Sequence, residues 1–267
     1  MGNDIFRSSG LTSITITRNV SQIGLSPFSA CTQLTEINVD EANPYFSSLD
    51  GVLTDKNRTT IVAYPAGKGK RYIIPDGITK IGTHSFFACY PITYIHIPNS
   101  VKTIELFAFA SCTDLDTVIL GNSVDSIEVA AFRINDRLKT IYSMNPIPPA
   151  AHTGAFDSFN SFFIQCTLHV PAGSLQAYKN AEVWKNFKNI VENDFTGIER
   201  STPNKAKIFG NKNSIAFRNI EPGTDISIYD TTGKCIKTFA MDGDSEIPLP
   251  SGIYLIKYAG RTVKIIL

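Results

Sequence analysis

Residues 97–112 read IPNSVKTIELFAFASC and residues 120–135 read LGNSVDSIEVAAFRIN, one pattern written twice, 23 residues apart. Phe86, Phe109 and Phe132 keep that step. So do Ile81, Ile104 and Ile127, then Ile78, Val101 and Val124, then Ile95, Val118 and Ile141. Ile92, Leu115 and Leu138 form another column, and Cys89, Cys112 and Asn135 one more. The register runs backwards as well: Val20, Ile23, Phe28, Cys31, Leu34 and Ile37 have the internal spacing of Ile78 through Ile95. Several columns in phase over three or more copies define a structural repeat.

Each copy reads as one coil. The I-x-I step has the two-residue period of a strand with one buried face. V-x-x-I turns the chain back, and F-x-x-C has the spacing of a short helical turn directed inward. A single coil cannot bury its own apolar face, so coils must stack into a solenoid, with successive strands about 4.8 Å apart in a parallel sheet. The step from Phe28 to Phe86 is 58 residues. It fits either two coils with extra residues or one coil with a long insertion. The inserted text, SSLDGVLTDKNRTTIVAYPAG, carries two apolar strands around TDKNRT, a hairpin signal.

The five cysteines are Cys31, Cys89, Cys112, Cys166 and Cys235. An odd number without a CxxC pair fits neither a disulfide framework nor a structural zinc site. Cys89 and Cys112 point the same way on neighbouring rungs, a poor geometry for a disulfide, so they read as small core residues.

NPIPPAAHTGAF at 145–156 breaks the register, since Pro148 and Pro149 cannot donate to a ladder. AGSLQAYKNAEVWKNF then reads as a capping helix, over about 171–189, with Ser174 at its N-cap and Leu175, Tyr178, Val183 and Phe187 inward. Trp184, the single Trp, reads as the anchor that covers the last coil. Residues 195–205, FTGIERSTPNK, look like a linker. Residues 206–267 carry short strands with two hairpin turns, TTGK and YAGR, and read as a small all-β sandwich.

Two resemblances follow. The repeat, seen almost complete in YIHIPNSVKTIELFAFASC at 94–112, resembles the BspA-type leucine-rich repeat. GVLTDKNRTTIVAYPAGK at 51–68 resembles that family's hairpin insertion, and LHVPAGSLQAYKNAEVWKNFKNIVE at 168–192 its terminating segment. Gly121 stands where the family has Pro, and Asn135 where it has Cys. The tail pieces ISIYDTTGKCIKTF, LPSGIYLIKYAG and TVKIIL resemble C-terminal sorting domains of Bacteroidetes proteins exported by type IX secretion. Together these imply a leucine-rich-repeat α/β solenoid over 1–194, mostly β with short helical turns, then a linker over 195–205 and a sorting-domain-like β-sandwich over 206–267.

Composition narrows the function classes. A net charge of +1 offers no field for nucleic acid or an acidic membrane. GKGKR at 67–71 reads as a solvated loop. No apolar run reaches the roughly 18 residues needed to span a bilayer. MGNDIFRSSG has no basic start and apolar core, so no signal peptide is visible, and the patterned sequence directly after Met1-Gly2 fits a chain whose leader has been removed. His84, His96, His152 and His169 are scattered, and no hydrolase, zinc-protease, phosphate-loop or calcium-loop motif occurs. Cys166 and His169 fall on opposite faces of a strand. No catalytic residue, metal or cofactor is assigned.

The expectation is a non-enzymatic, secreted or cell-surface binding protein. The family resemblance implies adhesion to host extracellular-matrix or bacterial surface proteins. A structural scaffold, or a glycan-binding accessory of an exported enzyme system, is the alternative. The outward positions of the I-x-I strands are Ser13 and Thr15, Glu36 and Asn38, Tyr94 and His96, Thr117 and Ile119, Thr140 and Tyr142. Among them Tyr94, His96, Thr117, Ile119 and Tyr142 form the candidate exposed binding strip, since exposed aromatics are the commonest interface anchors; the same residues also read as good strand formers that pair along the sheet.

Overall fold

The computed structural model describes residues 1–156, 160–195, 207–211, 213–218, 220, 223–241, 245–258 and 261–267. The chain divides into two compact units, Met1–Asp194 and Phe195–Leu267.

The first unit is the solenoid. Its strands are β1 (Ser13–Ile16), β2 (Glu36–Val39), β3 (Phe46–Leu49), β4 (Val52–Asp55), β5 (Thr60–Ala63), β6 (Arg71–Ile73), β7 (Lys80–Ile81), β8 (Tyr94–His96), β9 (Thr103–Ile104), β10 (Thr117–Leu120), β11 (Ser126–Ile127), β12 (Thr140–Ser143) and β13 (Ala150–Ala151). Helix α1 (Asn160–Gln165), β14 (Thr167–Pro171), helix α2 (Leu175–Asn180) and β15 (Asn189–Asn193) complete it. The I-x-I segments pair in parallel from β6 through β8, β10, β12 and β14 to β15. The V-x-x-I segments do more than turn the chain. Their last residues form a second parallel ladder, β5-β7-β9-β11-β13, with Ile81, Ile104 and Ile127 in register. Strands β7, β9 and β11 are two residues long, too short for a two-residue period to show in sequence.

The F-x-x-C segments are turns rather than helices, and their backbone is strained in a regular way. Residues two before and two after each column Phe have positive φ: His84 and Ala88 around Phe86, Phe107 and Ser111 around Phe109, Ala130 and Ile134 around Phe132. None is Gly, and each costs about 1 kcal/mol or more. The compensation is inter-coil pairing. Phe86, Phe109 and Phe132 each donate their N–H to a carbonyl of the next coil at 2.8 Å. The same strain at Asp4 and Ser8 around Phe6 carries the repeat back to the start of the chain.

Side chains stack on this frame. Phe86–Phe109, Phe109–Phe132 and Phe132–Phe156 centroids are 4.7, 5.2 and 5.5 Å apart, close to the strand spacing. Tyr64 stacks on Phe86 at 4.8 Å. It occupies the Phe position of the coil between Phe28 and Phe86, which selects the reading of two coils with extra residues. Those extra residues form the β3–β4 and β4–β5 antiparallel pairs. The cysteine column also has a role in pairing. Cys31 and Cys112 thiols donate to the carbonyls of Phe6 and Phe86, at 2.9 and 3.1 Å. Asn135 copies this with its amide, 3.0 Å from the Phe109 carbonyl. All five cysteines are free. Gly121 is similarly constrained: a Cβ there would sit 2.4 Å from the Pro98 carbonyl oxygen on the rung below.

The terminating segment departs from a single helix over 171–189. It contains the end of β14, the six-residue α2, a 3-10 turn at Trp184–Asn186 and the start of β15. Val183, at φ 70°, breaks the helical path. Ser174 precedes α2 without capping it by its side chain, and the Leu175 N–H is taken instead by the Glu192 carboxylate at 3.0 Å. Trp184 is fully buried, with Nε1 donating to the Pro149 carbonyl at 2.7 Å. The Tyr178 hydroxyl reaches the Asn145 carbonyl and the Ser143 hydroxyl at 2.7 Å. The proline stretch that broke the register thus supplies the acceptors that hold the cap.

The second unit is a small β-sandwich. One sheet pairs β16 (Lys207–Asn211), β17 (Ser214–Arg218) and β20 (Ser245–Pro248); the other runs β19 (Cys235–Ala240), β18 (Asp225–Tyr229), β21 (Ile253–Tyr258), β22 (Arg261–Ile266). Ile215, Phe217, Ile226, Ile228, Tyr254 and Ile256 meet between them. The TTGK hairpin joins β18 to β19, with Gly233 at φ 84°. The expected linker over 195–205 lies outside the described residues apart from Phe195, as do residues 259–260 at the centre of the YAGR turn.

Candidate functional site

The outer face of the six-stranded sheet carries two columns. In the first, Arg71, Tyr94, Thr117, Thr140, Thr167 and Asn189 are in register. In the second, Ile73, His96, Ile119, Tyr142, His169 and Val191 are in register. Alternation along each strand sends both columns away from the core, while Ile95, Val118, Ile141 and Leu168 point into it.

The structure therefore brings Tyr94, His96, Thr117, Ile119 and Tyr142 onto one face, but it does not leave them all exposed. Tyr94 is 9% exposed and Ile119 5%. The Arg71 guanidinium lies 3.9 Å from the centre of the Tyr94 ring, and Ile119 sits between His96 and Tyr142 in register. Rungs one strand spacing apart let large side chains cover each other. Ser13, Thr15, Glu36 and Asn38 belong to a separate two-stranded sheet, β1–β2.

The face also extends beyond the predicted strip. Tyr142 stacks on His169 with centroids 4.5 Å apart, and His169 Nδ1 lies 2.5 Å from Asn193 Oδ1. Arg71 and Ile73 extend it at the other end. Both extensions had a signal. RYIIPDG at 71–77 and TLHVPAG at 167–173 have the same form as YIHIPNS at 94–100.

The electrostatics are quiet. Burial holds the His96 imidazole below its ordinary pKa, against a smaller pull from Asp76, and its Nδ1 is buried without a partner among the described residues. Burial raises the Tyr94 hydroxyl, partly offset by Arg71. Among the described residues, no group of three or more His, Cys, Asp or Glu converges to hold a metal ion. No helix among them is long and apolar enough to cross a membrane.

Stacked coils with a columnar core and a broad parallel sheet define a repeat solenoid, a class that presents surface to large partners. The BspA type leucine rich repeat region matches residues 1–49 and 65–168 in six copies, over half of the chain, and the chain belongs to that family. The skipped stretch is the hairpin insert. No curated protein matches the chain. Among solved structures, it is similar to the pneumococcal vaccine antigen PcpA, at 18% identity and a TM-score of 0.49, covering 72% of this chain and 59% of that one. It is also similar to a leucine rich cell surface protein from Faecalibacterium prausnitzii, at 19% identity and a TM-score of 0.43, covering 74% of this chain and 52% of that one. A leucine-rich repeat protein from Eubacterium ventriosum matches at 22% identity and a TM-score of 0.41, over 54% of this chain and 45% of that one. The chain thus spans about half of each solved relative, and no partner or activity follows from these likenesses.

Proposed function

We propose that the chain is a non-enzymatic binding protein of the bacterial surface or exterior, and that the outer face of the six-stranded sheet recognises a protein partner. The observation that carries this reading is the second column, in which His96, Ile119, Tyr142 and His169 form a ring-rich strip on consecutive rungs, without Lys, Arg, Asp or Glu. Interface centres are depleted in charge and enriched in aromatic anchors. A host extracellular-matrix component or a bacterial surface protein is the proposed partner class. The tail resemblance supports export of the chain, with residues 206–267 as a sorting module.

The test is capture of the purified chain on immobilised matrix proteins and on bacterial surface extract, repeated with the Tyr142→Ala/His169→Ala double variant. Loss of roughly tenfold or more in affinity, about 1.4 kcal/mol, is expected with an unchanged circular dichroism spectrum. Equal binding by the double variant removes the strip from consideration. Loss of glycan rather than protein binding in the variant would favour a glycan-binding accessory instead.

A further inference from the structure

The hairpin insert interrupts the repeat, and it builds a cleft of about 340 Å3 between the end of β2, strand β3 and the β4–β5 turn. Insertions that leave a solenoid's period often carry its binding loops. The cleft is held by its own hydrogen bonds. The Asp55 carboxylate accepts the N–H groups of Thr59 and Thr60, both at 2.7 Å, and the Thr59 hydroxyl at 2.8 Å. Arg58, at φ 56°, sits in the turn this carboxylate closes.

Several of the cleft's charges are already engaged. The Lys56 ammonium donates to the Glu41 carbonyl at 3.2 Å and to the Asn43 carbonyl. Asp40 accepts from Arg18 at 3.1 Å and from the Ala42 N–H at 3.0 Å. Two groups remain. The Arg58 Nε donates to the Ser47 hydroxyl at 3.0 Å, which orients the guanidinium while its terminal nitrogens make no hydrogen bond with the described residues. The Glu41 carboxylate lines the same cleft, also without a hydrogen-bond partner among them.

We infer that this cleft binds a carboxylated sugar unit, a uronic acid of an acidic polysaccharide. A free guanidinium edge takes a planar pair of oxygens, as a carboxylate offers. The Glu41 carboxylate is an acceptor that suits the hydroxyls of a sugar, and together with Asp40 it repels a dianion such as sulfate more strongly than a singly charged carboxylate. Phe46 and Val39 give the lining an apolar patch for the ring's C–H face. The volume falls at the lower end of the range for small-ligand sites, about 300–1,000 Å3. A free amino acid shares the carboxylate but cannot supply the hydroxyls. This site is independent of the sheet face.

The test is two-dimensional amide NMR on the full chain, titrated separately with glucuronate, glucose, glutamate and inorganic sulfate. Glucuronate is expected to shift the amides of Ser47, Ser48 and Arg58. Arg58→Gly suits the left-handed turn and removes the guanidinium, so it should weaken the response roughly 10- to 100-fold with the other amides unmoved. Tyr142→Ala should leave the response intact. Equal shifts with glucose, glutamate or sulfate would overturn the assignment, as would no response to glucuronate or an undiminished response in Arg58→Gly.

Discussion

Asn135 offers the sharpest test of how the coils are joined. It occupies the cysteine column, fully buried, and its amide donates to the Phe109 carbonyl at 3.0 Å. Its Oδ1 is buried with no partner among the described residues. Cys112 does the same work one coil earlier, its thiol 3.1 Å from the Phe86 carbonyl, without carrying an orphaned oxygen. Asn135→Cys should therefore recover the cost of an unsatisfied buried acceptor, about 1–3 kcal/mol, and lose about 1 kcal/mol by replacing an amide donor with a weaker thiol. The expected net gain is about 1 kcal/mol. Asn135→Ala removes the donor, orphans the Phe109 carbonyl and leaves a small void, so it should fall below the parent by about 1–2 kcal/mol. Urea unfolding followed by Trp184 fluorescence, under reducing conditions, reads both, because the only Trp lies in the cap of the same unit. The predicted order is Cys above Asn above Ala at constant m-value. A Cys variant no more stable than the parent would refute the reasoning, since it would mean that the Asn135 oxygen is satisfied in solution.

Trp184→Ala should cost about 3–5 kcal/mol, and Trp184→Phe less, chiefly the bond to Pro149; thermal unfolding separates them. Only the exposed Cys235 should react quickly with a thiol reagent in the native protein. Cys31 is buried, and burial pushes Cys112 and Cys166 up to about 12 and Cys89 also well up, so a native thiol count above one would contradict the column assignment. Burial depresses His84 and His96 below 6.5. The unfolded chain then takes up protons first as pH falls through that value, so stability should drop below about pH 6.5 and level off under the folded pKa values. His96→Phe should flatten that loss, and an unchanged pH profile would reject it. Gly121→Ala should destabilise the solenoid by pushing the rungs apart at Pro98, visible as a lowered melting temperature.

The core columns were legible because a solenoid repeats one environment at a fixed step, so Phe86, Phe109 and Phe132 announce themselves. The cap anchor Trp184 was legible for a related reason: a stack of coils must end, and the last apolar face needs a large lid. The second ladder was not legible, because Lys80–Ile81 and its partners are too short to show a period. Nor was the partial burial of the strip. A sequence shows that Tyr94 points outward, but not that Arg71, on the neighbouring rung, lies over its ring.

Local spacing was enough to set the period, the inward columns, the hairpin and Trp184 as the anchor of the cap. Each follows from local spacing and from the need to bury apolar surface. The folded coils were needed to show which residues cover one another across rungs, that the cysteine position donates a hydrogen bond to the coil before it, and that Arg58 and Glu41 share a cleft. Those facts depend on contacts between coils, which strand spacing and side-chain reach set jointly, and which no single coil contains.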